Sequence, residues 1–179
     1  MSRFLKWAQT EHSLGTRIAA TLPAGVLLVI LIPYLLLVKC PSIDRQLGLH
    51  PPSTGVASYI LGGILIVAGL TFGLWSILVQ FTRGRGTPLP MLPTQGLLTV
   101  GPFRYCRNPM TLGTILMYLG LSISAATIVG VALTLCLAAL LLLYLKRVEE
   151  KELAERFGED YLAYRREVPF IIPKRPRRN

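Results

Sequence analysis

The sequence predicts an all-α, polytopic integral membrane protein. It expects about four transmembrane helices, the last two forming a tight hairpin, and then an amphipathic cytoplasmic C-terminal helix. Three observations carry this expectation. Of 179 residues, 52% are hydrophobic and the mean hydropathy is +0.53, beyond the range of ordinary soluble domains. The apolar residues fall in long charge-free runs, the pattern of bilayer-spanning helices. The net charge of +10 comes mostly from segments beside those runs, where it suits an anionic inner leaflet.

The first 17 residues scatter Phe4, Leu5 and Trp7 among charges and read as an interfacial leader to a retained helix. Residues 18–38 form the first span, long enough for a ~30 Å hydrocarbon core. Pro23 and Pro33 are placed to kink it, which membrane helices tolerate where neighbours satisfy the freed carbonyls. Residues 39–55, with Pro41, Pro51 and Pro52, read as a loop. Residues 56–81 make the second span, in which Gly69 and Gly73 form a GxxxG packing face. A connection over residues 82–110 follows, holding the densest run of Pro, Gly and Arg. A connection of this length in a small membrane protein is either functional or structureless.

Residues 110–145 carry no charge. One helix of that length would run about 54 Å, so two short spans fit better, residues 110–125 and 127–145, with a turn near residues 122–127. The distribution of cations agrees. Arg3, Lys6 and Arg17 precede the first span, and Arg83, Arg85, Arg104 and Arg107 follow the second. Ten Lys and Arg follow Leu145. Four spans put all three groups, and both termini, on the cytoplasmic face. The tail repeats Val148, Phe157, Tyr161, Tyr164 and Val168 at near-helical spacing and ends at Pro169. The chain divides into residues 1–81, a leader and two spans, and residues 82–179, the part that carries the chemistry.

Several function classes are disfavoured. No nucleic-acid motif accompanies the basic charge. Cys40, Cys106 and Cys136 are odd in number and far apart, which argues against a disulfide framework, and His12 and His50 stand alone, so no metal is expected. No span carries an ionisable residue, which weakens a channel or transporter.

Two places carry candidate chemistry. Glu149 and Glu150 stand where the last span leaves hydrocarbon. Either neighbours such as Lys146, Arg147, Lys151 and Arg156 neutralise them, or a partly buried carboxylate binds a cation or sugar hydroxyls. In Gly101-Pro102-Phe103-Arg104-Tyr105-Cys106-Arg107-Asn108-Pro109, Asn108 and Pro109 are a normal N-cap and first helical residue. The Gly- and Pro-rich loop before them brings backbone groups close to a ligand, and the helix N-terminus favours an anion. Arg104 and Arg107 also suit snorkelling anchors.

The order GRGTPLP, QGLLTVGPFRYCRNPMTLG, an apolar hairpin, EEKELAERFGEDYLAY and VPFIIP resembles the isoprenylcysteine carboxyl methyltransferase and phospholipid methyltransferase superfamily. The resemblance covers about half the chain. It implies S-adenosylmethionine as cofactor and a membrane lipid or small lipophilic acceptor bearing a carboxylate, amine or thiol, within the bilayer and without metal or nucleic acid. Carried over by position, the cofactor stretch falls on Gln95, Gly96, Leu97 and Leu98, and an aromatic on Phe103. The Arg-His-Pro-x-Tyr-x-Gly motif falls on Arg107, Asn108, Pro109, Met110, Thr111 and Gly113, and the acidic pair on Glu149 and Glu150. Arg107, Asn108 and Glu150 are the implied catalytic residues; Asn108, with Glu149 and the remaining positions, is implied in cofactor binding. Asn108 in place of His resembles the phospholipid N-methyltransferase branch. Thr111 replaces the motif's Tyr, and Leu145 stands where prenylcysteine enzymes place an arginine. The competing reading is a non-catalytic four-helix membrane protein whose basic tail binds anionic lipid.

Overall fold

The computed structural model describes residues 15, 22–23, 25–50, 55–84 and 96–175. Within them every regular element is helical. We label α1 Leu27–Gln46, α2 Val56–Arg83, α3 Pro109–Ser124, α4 Ile128–Tyr144 and α5 Glu150–Glu167. A 3-10 turn over Gly101–Arg104 leads into α3, and a widened π turn, Leu145–Glu149, joins α4 to α5. Among the described residues three helical stretches are long and apolar enough to cross a membrane: α1, α2 and the continuous run Ile128–Glu167, whose apolar part is α4. α3 is apolar but has 16 residues, about 24 Å of helix.

α3 is the centre of the bundle and lies against α1, α2 and α4. Its seam with α2 is built on glycine. A Cβ on Gly69 would stand 2.5 Å from the Gly113 carbonyl oxygen, and one on Gly113 would stand 2.6 Å from both the Gly69 oxygen and the Gly73 nitrogen. Two turns further along, a Cβ on Gly120 would stand 2.6 Å from the Gly62 oxygen. Two antiparallel helices thus meet backbone to backbone at Gly62–Gly120 and Gly69–Gly113. In a bilayer, close packing of this kind takes the place of the hydrophobic drive between helices. The GxxxG pair of the sequence is half of this seam. Gly69 is enclosed, while a Cβ on Gly73 would meet nothing within 4 Å.

α1 differs from its sequence expectation. It does not stop at Val38 but continues through Pro41 to Gln46, so residues 39–46 are helix rather than loop. Two widened turns, Leu27–Leu31 and Leu35–Lys39, precede Ile32–Tyr34 and Cys40–Gln46, the two segments that carry a proline in their first turn. In the widened register the N–H of position 33 would bond the Leu28 carbonyl. Pro33 has no N–H, and Tyr118 Oη on α3 takes that carbonyl at 2.7 Å. The helical extension also delivers Asp44, 2% exposed, to the start of α4. There its carboxylate accepts the Ile128 and Val129 N–H groups at 3.1 and 3.0 Å, and Thr127 Oγ1 accepts that of Gly130 at 3.0 Å. These bonds satisfy donors that a helix start leaves orphaned. The hairpin turn between α3 and α4 falls on residues 125–127, with Ala126 at φ 45°, inside the expected range.

The tail was expected to be one amphipathic helix. α5 has the expected extent but is broken at Gly158, whose φ of 53° and ψ of −129° are non-helical.

Candidate functional site

The connection between α2 and α3 returns to the bundle through the 3-10 turn. Gly101, at φ 61°, packs on the side chains of Val79 and Trp75 of α2. The Tyr105 ring is tilted 56° to that of Trp75, with ring centroids 6.0 Å apart. Pro102, Phe103 and Cys106 are buried. The loop is therefore a fixed wall at the end of α2 and α3. The Cys106 thiol is pushed up to about 11 by burial, against a smaller lowering from the Asn108 backbone. At pH 8 only about one thiol in a thousand there would be thiolate. A maleimide is expected to leave Cys106 unmodified in the folded protein and to label it on denaturation, read by intact mass.

Across this wall stand the π turn and α5. Arg107, the second arginine of the Gly101–Pro109 segment, is the hub. Its Nη1 donates to the Glu150 carboxylate and, at 3.2 Å, to Tyr161 Oη. Its Nε donates to the Val168 carbonyl at 3.0 Å, and its guanidinium lies 5.5 Å from the Phe170 ring centroid. Glu150 is 7% exposed, and its other oxygen lies 3.8 Å from Arg165 Nε. This carboxylate is thus shared between two guanidiniums. Asn108 holds the N-cap position of α3 but does not cap it with its side chain. Instead, Asn108 Nδ2 donates to the Phe170 carbonyl at 3.0 Å.

Glu149 is set differently. It is half-buried, and burial, followed by the nearby Glu152 and Glu150, pushes its carboxyl above the usual carboxylate range. Among the described residues no cation lies within ion-pair distance of it. A half-buried carboxylate beside like charges, with no ion pair to a described residue, is a place that favours a positively charged ligand.

The candidate residues of the sequence sort as follows. Arg107 and Glu150 are brought into contact, and Asn108 and Glu149 flank them in sequence. Phe103 is buried, and its carbonyl accepts from Tyr164 Oη at 2.7 Å. Pro109 is buried, with Met110 and Thr111 half-buried in the first turn of α3. Gly113 lies in the seam with α2. Leu97 and Leu98 are half-buried and Gly96 is exposed; Gln95 lies outside the described residues. Arg104 is exposed, as a snorkelling anchor would be.

Four residues at this site carried no functional expectation. In the sequence Tyr161 and Tyr164 stand only as positions on an amphipathic helix, and Arg165 and Phe170 carry no signal of their own. The available signal was Gly158 followed by Glu159 and Asp160. A glycine helix stop before an acidic helix start marks two helices, not one.

A cavity of about 390 Å³ lies elsewhere in the bundle, among Ser58, Ile123, Thr127, Val131 and Leu135, and no candidate residue lines it. Among the described residues no group of three His, Cys, Asp or Glu could hold a metal.

Neither the curated proteins nor the solved structures contain a match to this chain. The phospholipid methyltransferase family model matches residues 57–160. That match takes in α2, the loop wall, the hairpin, the acidic pair and the first part of α5. It covers more than half of the sequence, and the chain belongs to the phospholipid methyltransferase family, whose activity is methyl transfer in a membrane.

Proposed function

We propose that the protein transfers a methyl group from S-adenosylmethionine to a lipid or small lipophilic acceptor at the cytoplasmic membrane face. In this reading α3 makes the fourth crossing and both termini are cytoplasmic. The observation that carries the proposal is Glu149: a half-buried carboxylate, raised above its usual range and with no ion-pair partner among the described residues, beside the Arg107–Glu150 pair. The residues present fit a sulfonium cofactor that also carries an ammonium group and ribose hydroxyls.

When bound, the cofactor supplies the electrophilic methyl, and the protein has to bind, orient and exclude water. Glu149 holds the cofactor's positive charge or its ribose hydroxyls. Gly96–Leu98 and Phe103 form the loop wall against it, with the first turn of α3 (Asn108 to Thr111) and Gly113 behind, and Gln95 is a further cofactor contact by its place in the sequence. Arg107 and Asn108 fix that wall to the C-terminal segment and so set the depth of the site. A carboxylate or thiolate acceptor needs no strong base. An amine acceptor that loses its proton within the site gives it to Glu150 at the expense of the pair with Arg107, so a neutral amine is the better substrate. An apolar acceptor reaches the site sideways from the bilayer.

Calorimetry on the full chain in lipid nanodiscs tests this. The wild type is expected to bind S-adenosylmethionine, and Glu149→Ala and Asn108→Ala to weaken binding about ten- to hundredfold, the worth of a charge-assisted contact. Because the Glu149 carboxyl is raised, binding should fade as pH drops, starting above the ordinary carboxylate range. No binding to the wild type would sink the proposal. Methyl-labelled cofactor incubated with membrane lipid extract, followed by mass spectrometry, then identifies the acceptor.

A further inference from the structure

Arg107 shows what the break at Gly158 accomplishes. Its guanidinium contacts Glu150 and Tyr161 together. Along a straight helix these two residues would be separated by about 16 Å of axis, and Arg165, 3.8 Å from the Glu150 carboxylate, by about 22 Å. Only a chain that folds back between them makes both contacts, and the non-helical backbone of Gly158 is where it turns. A Cβ on Gly158 would meet nothing within 4 Å. Crowding therefore does not demand glycine there; the positive φ does.

Among the described residues, the hydrogen bonds of the returning segment to the rest of the chain converge on one stretch, beside the Arg165–Glu150 ion pair. Tyr164 Oη donates to the Phe103 carbonyl at 2.7 Å. The Arg107 N–H donates to the Pro169 carbonyl, and the Lys174 N–H to that of Tyr105, both at 2.9 Å. With the Val168 and Phe170 carbonyls taken by Arg107 and Asn108, these bonds all fall within residues 103–108. The outer side of the segment is exposed charge: Glu159, Asp160, Arg166 and Glu167. A unit held by one cluster of hydrogen bonds and one half-exposed ion pair, with a solvated outer face and a glycine at its root, is a low-stability part of a fold.

We propose that the part of α5 beyond Gly158, together with residues 168–174, is a lid over the Glu149–Glu150 site. It is hinged at Gly158, latched on residues 103–108, and opens as a unit to exchange the cofactor. Its purpose rests on the cofactor reading above; its motion does not.

Hydrogen exchange by mass spectrometry on the full chain in nanodiscs tests it. Peptides covering residues 103–108 and 168–175 are expected to exchange together, faster than α3. Gly158→Ala forces a side chain into a backbone region nearly reserved for glycine, and should speed both peptides about ten- to hundredfold while leaving α3 unchanged. Tyr164→Phe, which removes one latch bond and no packing, should speed the same two peptides and serves if Gly158→Ala unfolds the chain. Unchanged exchange in Tyr164→Phe, or independent rates for the two peptides, would overturn the lid. S-adenosylhomocysteine is the ligand probe, with its binding measured separately by calorimetry. Slower exchange at both peptides supports closure over the cofactor. Binding without slowing overturns the lid and leaves the methyltransferase proposal intact. Absence of binding overturns that proposal, while the unliganded exchange still decides the hinge.

Discussion

Arg107→Ala is expected to abolish methyl transfer and to destabilise the protein by about 3 kcal/mol, the lower end for removing one partner of a buried ion pair. The lower end applies because Arg165, 3.8 Å from the second Glu150 oxygen, retains part of the compensation. The Arg107 and Glu150 side chains are 11% and 9% exposed, so solvent replaces little of the lost partner. The guanidinium also bonds the Val168 carbonyl and Tyr161, and the Phe170 ring lies against it, so one substitution releases the loop wall and the C-terminal segment together. Arg107→Lys keeps the charge but not the fork that reaches several acceptors at once, and should recover less than half of the lost stability. The double variant Arg107→Ala/Glu150→Leu should regain stability by removing the orphaned carboxylate while remaining inactive. Unfolding titrations in mixed micelles, alongside methyl incorporation, read both quantities. An active Arg107→Ala protein of wild-type stability would show that the hub is incidental.

The second large effect is expected at the glycine seam. Gly113→Val should cost about 3 kcal/mol or more and separate α2 from α3, because the new Cβ would fall 2.6 Å from two backbone atoms that cannot rotate away. Gly69→Ala should be nearly as harmful, its Cβ falling 2.5 Å from the Gly113 oxygen. Gly73→Ala and Gly63→Ala, where a Cβ would meet nothing within 4 Å, should be neutral or slightly stabilising, since alanine is the better helix former. The contrast between Gly69 and Gly73, the two glycines of one GxxxG, is the decisive comparison. Equal tolerance of alanine at both would mean the helices do not meet as described.

The two effects belong to one argument. α3 carries the seam at Gly113 and Gly120 and begins at the Asn108-Pro109 step that ends the loop wall. Backbone-close packing on α2 fixes α3, and α3 fixes the position of Arg107 just ahead of it. A site with few polar groups depends on such a support, because the alignment of a few groups is all the protein contributes to methyl transfer.

The sequence by itself determined the helical class, the limits of α2, α3 and α4, and the family to which the chain belongs. Each rests on local information. Charge-free runs of spanning length cannot satisfy their backbone in lipid except as helices, and the Pro109 step and the Glu149–Glu150 pair are short motifs read in place. It also supplied the residues of the site's hub, Arg107 and Glu150, but not their contact with each other. Tertiary structure alone decided the rest. The helical continuation of α1 past Pro41 is stabilised by Asp44 meeting the Ile128 and Val129 N–H groups on another helix, 84 and 85 residues on. The pairing of Gly62 and Gly69 with Gly120 and Gly113 depends on which helices become neighbours, and periodicity within one span does not encode that. Tyr161 and Arg165 join the site through a fold-back at one glycine, which changes the direction of the chain while barely disturbing its amphipathic pattern. Local chemistry sets what each segment becomes; contacts between distant segments set what each charged side chain is paired with, as Arg107 is with Glu150.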